Sequence, residues 1–78
     1  MTSSQVTELR ERIKRKRQAS RNALANVLWK KRKYKGRPAY GNMVSYYDGC
    51  ETELRIAISN HKELLDLIQL MEEFNAYA

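Results

Sequence analysis

Gly36-Arg37-Pro38-Ala39-Tyr40-Gly41-Asn42 contains two of the three glycines and the only proline in the chain. Gly and Pro together break a helix, and Asn42 is a suitable N-cap for a new one. No other strong boundary occurs, so the chain divides once. The two arms on either side are of similar length, and each carries apolar residues at spacings of three and four, the mark of a helix face.

In the first arm Val6, Leu9, Ile13, Ser20, Ala23, Val27 and Tyr34 keep this spacing, with Lys16 and Lys30 filling the gaps. The seam is thin, and it rests on a partner. Ser3 or Ser4 is suited to cap its start, while Glu8 and Glu11 lie early enough to favour the positive end of the helix dipole. In the second arm Tyr47, Cys50, Leu54, Ala57, His61, Leu64, Ile68 and Met71 form a heptad seam. Asp48-Gly49-Cys50-Glu51 and Asn60-His61-Lys62-Glu63 resemble capping boxes inside it, but the apolar phase runs through both without slipping, which favours one long helix.

These features predict an all-α fold, an antiparallel two-helix hairpin with helices at about 4–34 and 43–75 and a turn at 35–42. The 78 residues form a single domain, 1–78. Equal rise on both helices predicts partner numbers that sum to roughly 77, which sets Val6 beside Met71, Leu9 beside Ile68, Ile13 beside Leu64, Ala23 beside Leu54, Val27 beside Cys50 and Lys16 beside His61. Arg10 and Lys14 then lie near Asp66 and Glu63.

The second arm has more apolar surface than one partner covers. Leu67, Leu70 and Phe74, in line with Ile56 and Tyr77, form a second stripe, and Ile58 and Leu65 widen the seam on its other flank. An uncovered patch of this kind predicts a homodimer, a four-helix bundle built through the C-terminal half; the alternative is a short third helix folded back over the stripe. Ile56, Leu67, Leu70 and Phe74 are the expected protein-interface residues.

Charge is distributed unequally. Residues 1–37 hold thirteen Lys or Arg against Glu8 and Glu11, a balance of +11, while residues 38–78 hold two against seven acids, a balance of −5, within a net charge of +6. Two runs, Lys14-Arg15-Lys16-Arg17 and Lys30-Lys31-Arg32-Lys33, flank an apolar segment. Arg10, Lys14, Arg17 and Arg21, followed by Arg32 and Lys35, are expected to form one stripe beside the seam, able to track a phosphate backbone while the seam stays packed. A solvated charged face is the ordinary fate of such runs, but here acids are too few to offset the repulsion. Trp29, Tyr34 and Tyr40 adjoin the second run, an interleaving suited to stacking on bases or sugars. Tyr34 and Tyr47 are expected to pack in the core, Trp29 suits either role, and Tyr40 in the turn is the expected stacker. The expected nucleic-acid contacts are Arg10, Lys14, Arg15, Arg17, Arg21, Lys30, Lys31, Arg32, Lys33, Lys35, Arg37 and Tyr40.

No constellation for catalysis is present. His61 is the only histidine and Cys50 the only cysteine, both on the seam and separated by three helical turns, so a core imidazole and an inert thiol are expected, with no metal site and no cofactor. The glycines match no phosphate-cradling signature. No apolar run reaches the ~18 residues of a membrane span, and the first residues lack the apolar core of a signal peptide, so a cytoplasmic or nucleoid-associated protein is expected.

The density of basic residues from Arg10 to Arg21 is similar to that of arginine-rich RNA-binding helices, a likeness of composition over a dozen residues. No helix-turn-helix, zinc-finger or basic-zipper pattern fits. The expectation is a small, non-enzymatic, low-specificity regulator or architectural protein that binds DNA in preference to RNA. The alternative is an adaptor or inhibitor docked on an acidic protein surface. Either would suit a phage or mobile-element product.

Overall fold

The structure is a computed structural model that describes residues 2–76, apart from the side chains of Tyr40, Asn75 and Ala76. Helix α1 spans Ser3–Tyr34, a 3-10 helix spans Pro38–Tyr40, and α2 spans Gly41–Ala76 without a break at Gly49 or Asn60. The two helices pack against each other as a hairpin.

The start of α1 is capped by Thr2, one residue before the serines. Its hydroxyl accepts from the Gln5 amide at 3.2 Å while the Gln5 side chain accepts from the Thr2 amide at 2.9 Å, a reciprocal box that neither serine closes with a Glu or Gln partner. At the other end Lys35 is extended, Gly36 has φ of 80°, and the Arg37 amide donates to the Tyr34 carbonyl at 3.3 Å. This is the geometry of a type II turn, whose third position favours glycine because a Cβ there costs about 1–2 kcal/mol. The 3-10 helix opened by Pro38 feeds into α2, the Gly41 amide donating to the Pro38 carbonyl. Asn42 therefore lies inside α2 and does not cap it.

Cross-hairpin pairs fix the register. Arg10 is paired with Glu72, Lys31 with Glu51 at 2.8 Å, and the Tyr34 and Tyr47 rings are stacked, 6.5 Å apart. Partners therefore lie about four residues, or one helical turn, further along than the symmetric turn implied. The asymmetry has a local cause: α1 ends at the type II turn, whereas α2 first runs past the 3-10 segment before it comes level with Tyr34. In this register Ile13 is level with Ile68, Arg17 with Leu65, Ser20 with His61, Leu24 with Ile58 and Val27 with Leu54.

The seam itself is also different. On α1 the inward positions are Val6, Arg10, Ile13, Arg17, Ser20, Leu24, Val27, Lys31 and Tyr34, while Leu9, Lys16 and Ala23 face outward. Long Arg and Lys stems fill these places; the Arg10 and Lys31 heads meet carboxylates of α2, while Arg17 Nε stays buried. On α2, Ile58 and Leu65 take seam positions and Leu64 and Met71 turn out to solvent.

Little is enclosed by this arrangement. Only Ile13, at 8% exposure, and Ile68, at 7%, are buried apolar residues among those described. The rod measures 61 × 16 × 14 Å, with a radius of gyration of 17.7 Å, against about 11–12 Å for a compact domain of this length. Its accessible surface is 6245 Å², well above the ~4900 Å² usual for a folded monomer of this mass.

Candidate nucleic-acid interface

Carboxylates hold a minority of the cations. Among the described residues Arg10 is paired with Glu72, Arg12 with Glu8 at 3.7 Å, Lys14 with Glu11 at 3.6 Å, and Lys31 with both Asp48 and Glu51. The other nine of the thirteen in residues 1–37 have no acidic partner among the described residues. The Arg12 and Lys14 pairs are exposed and within one helix, so each contributes little.

The single stripe expected from spacing is not what α1 presents. Arg10 and Arg17 turn into the seam, and Lys31 spans it to α2. The exposed cations instead cover the outer half of α1: Lys14, Arg21 and Lys35 along one edge, Arg15, Arg32 and Lys33 over the crest, and Lys16 with the half-buried Lys30 along the other edge. Lys16, assigned to the seam from its spacing, belongs to this surface. A seam read from apolar spacing alone hides it, because the true inward positions are held by cations.

Lys31 shows how α1 and α2 are tied near the turn. Hydrogen bonds to Asp48 and Glu51 raise its pKa above the ordinary 10.5. Glu51, which also accepts from Arg55 at 3.0 and 3.1 Å, is held below the ordinary 4.5 by the bond from Lys31 first and that from Arg55 second. Because its folded pKa lies below the unfolded one, Glu51 contributes stability above pH 4.5 that is lost as pH falls through the depressed value. The Lys31 contribution is complete below pH 10.5 and is lost as pH rises through the raised value. The melting temperature at constant ionic strength is thus expected to be level between about pH 5 and 9 and to fall below about pH 4. Glu51→Gln should flatten the acid limb, and an unchanged acid limb in that variant would assign it to other groups.

The middle of the seam is polar and unsatisfied. Arg17 Nε and His61 Nδ1 are buried without hydrogen-bond partners among the described residues, and the register puts both within about one turn of Ser20. His61 lies on the seam as expected of a core imidazole, but this nitrogen is not satisfied. A buried polar atom without a partner costs about 1–3 kcal/mol. Arg17→Leu is therefore expected to raise stability by roughly 1–2 kcal/mol, read as a higher melting midpoint; a lower midpoint would show that the guanidinium stabilises the seam. Cys50 is half-buried with a free thiol.

Aromatic and cationic groups converge at the turn end. Tyr34 and Tyr47 pack against each other across the hairpin, and Tyr46 meets Tyr47 edge-on at 5.6 Å. Trp29 is exposed by 58%, with Lys33 Nζ 5.2 Å from its ring centre and 5.6 Å from that of Tyr34. Lys30 Nζ lies 6.0 Å from the Tyr47 ring. These contacts orient the ammonium groups without neutralising them. The Tyr40 side chain, the expected stacker, lies outside the described residues.

At the opposite end of the rod one face of α2 is apolar. Leu67, Leu70, Met71 and Phe74 line an open groove, Phe74 being 78% exposed, and Leu64 and Ile56 extend the exposed surface along α2. All four expected interface residues, Ile56, Leu67, Leu70 and Phe74, are exposed in the hairpin; Tyr77 lies outside the described residues. Among the described residues no three His, Cys, Asp or Glu side chains are grouped to hold a metal ion, and no helix is long and apolar enough to cross a membrane. Comparison with known protein families, characterised proteins and solved structures produced no match to this chain.

Proposed function

We propose that the protein is a non-enzymatic nucleic-acid-binding protein that contacts phosphates through the outer face of α1 and the turn, with low sequence specificity and a regulatory or architectural role. The observation that supports this reading is the excess of cations: nine in residues 1–37 have no carboxylate partner among the described residues. Like charges at this density repel across helical turns, and a polyanion relieves that cost while releasing its own condensed counterions. A straight rod suits a duplex better than a folded single strand, which favours DNA over RNA. Cytoplasmic or nucleoid placement goes with this reading.

Two hairpins associate in the same proposal. The apolar end of α2 completes its burial against a second copy, giving a four-helix assembly. The test is a salt titration of binding to duplex DNA, in which log K falls with log salt at a slope of about −4 to −7. A flat response would reject phosphate contacts as the driving term.

The exposed groove at Leu67, Leu70, Met71 and Phe74 favours a second reading, an adaptor that docks on an acidic protein surface. There, Leu67→Ser with Phe74→Ser abolishes partner capture while DNA affinity is negligible from the start.

A further inference from the structure

The face of α2 left uncovered lies about 130° around the helix from the line to α1, wider than the right angle between neighbours in a square bundle. Leu64, Leu67, Leu70, Met71 and Phe74 all belong to it, and all are exposed. They occupy the end of the rod remote from the turn. The cations Lys33, Lys35 and Arg37 occupy the other end, so the apolar patch and the cations of the turn stand at opposite ends of a 61 Å molecule, with Arg15, Lys16 and Arg21 between the turn and the rod's far end.

We infer that two copies pack tail to tail, α2 against an antiparallel α2, so that the two basic turns stand at opposite ends of the dimer and bridge two separate nucleic-acid duplexes. The occupant of the apolar face is a second copy for two reasons. The hairpin exposes roughly 1300 Å² more surface than a compact monomer of its mass, more than the ~800 Å² that each partner buries in a standard stable interface. A self-complementary contact across a two-fold axis is the common way to bury it. Direction follows from charge. A parallel pair would set the two turn clusters, Lys33, Lys35 and Arg37, side by side, whereas an antiparallel pair centred near Leu67 separates them by about 60–80 Å; Arg15 and Lys16 lie near the axis in either arrangement. The wide angle keeps the α2 helices central and the α1 helices splayed outward, so neither cationic surface is covered. Bridging rests on the nucleic-acid reading; the packing does not.

The experiment separates these two parts. In a Cys50→Ser background, donor and acceptor dyes are placed at Arg37→Cys in one preparation and at Ser59→Cys in another, with mass measured by sedimentation. Expected are a dimeric mass, negligible energy transfer between turn labels and high transfer between Ser59→Cys labels, about 25 Å apart. High transfer in both preparations means a parallel dimer, a monomeric mass with no transfer in either means no dimer, and both overturn the inference. In the second arm an immobilised duplex captures a labelled second duplex. Unmodified protein should capture it. Leu67→Asp with Phe74→Asp should bind one duplex, with helicity followed by circular dichroism, and capture none. Lys33→Glu with Arg37→Glu should keep the dimer and lose capture. Capture that persists in a monomeric variant overturns bridging. Absence of any duplex binding by the unmodified protein overturns the nucleic-acid reading as well, while the dye pattern still decides the packing.

Discussion

Replacing Lys33, Lys35 and Arg37 together with Glu is expected to weaken binding to duplex DNA by roughly 10²–10³-fold at about 0.1 M salt. The size follows from counterion release: each phosphate that is no longer neutralised takes about 0.9 off the salt slope, worth close to a tenfold change in affinity at that salt concentration. Three such phosphates therefore give close to three decades before any repulsion from the new carboxylates, and the slope should flatten by about three. Lys33 and Lys35 are exposed and have no carboxylate partner among the described residues, and Arg37 lies exposed in the turn between the helices. None of the three contributes a cross-hairpin ion pair, so the melting curve of the free protein should hardly move. Fluorescence anisotropy across a salt series measures both quantities. A variant that keeps its affinity would shift the proposed DNA contacts to the middle of α1, at Arg15, Lys16 and Arg21.

Leu67→Asp with Phe74→Asp is expected to abolish self-association, weakening the dimer by at least about 10³-fold, equal to some 4 kcal/mol. Burying an unpaired carboxylate costs several kcal/mol, and two-fold symmetry doubles the number of offending groups. The hairpin has only Ile13 and Ile68 buried among the described residues, so the loss should reach the fold itself: the melting midpoint, expected to depend on protein concentration in the unmodified chain, should become independent of it and fall sharply. Sedimentation and circular dichroism at several concentrations check this. If the double variant melts like the parent, Ile56, Leu67, Leu70 and Phe74 form a surface with no part in folding.

The candidate site was legible in outline because charge is a property of composition. An excess of +11 in one half is visible without knowing where any side chain points. Which cations remain available was not visible. Arg10, Lys31 and Arg17 share spacing with their exposed neighbours, yet the first two cross to Glu72 and Glu51 and the third has Nε buried without a partner. A Lys or Arg with a long apolar stem satisfies a seam position nearly as well as an aliphatic residue, so a count of apolar spacings passes over it and selects Leu9, Lys16 and Ala23 instead. The same displacement on α2 exchanges Leu64 and Met71 for Ile58 and Leu65 and enlarges the uncovered face.

Local chemistry was enough to determine two helices, the break between them and the hairpin they form. Gly36 and Pro38 act through steric constraints on their own backbones and need no distant contact to end one helix and start the next. The register, the inward face and the division of cations into bound and unbound were decided only in the folded molecule. Each depends on how far α2 travels past the 3-10 segment before meeting α1, and on carboxylates more than fifteen residues away along the chain. Spacing within one helix carries no information about the phase of the other.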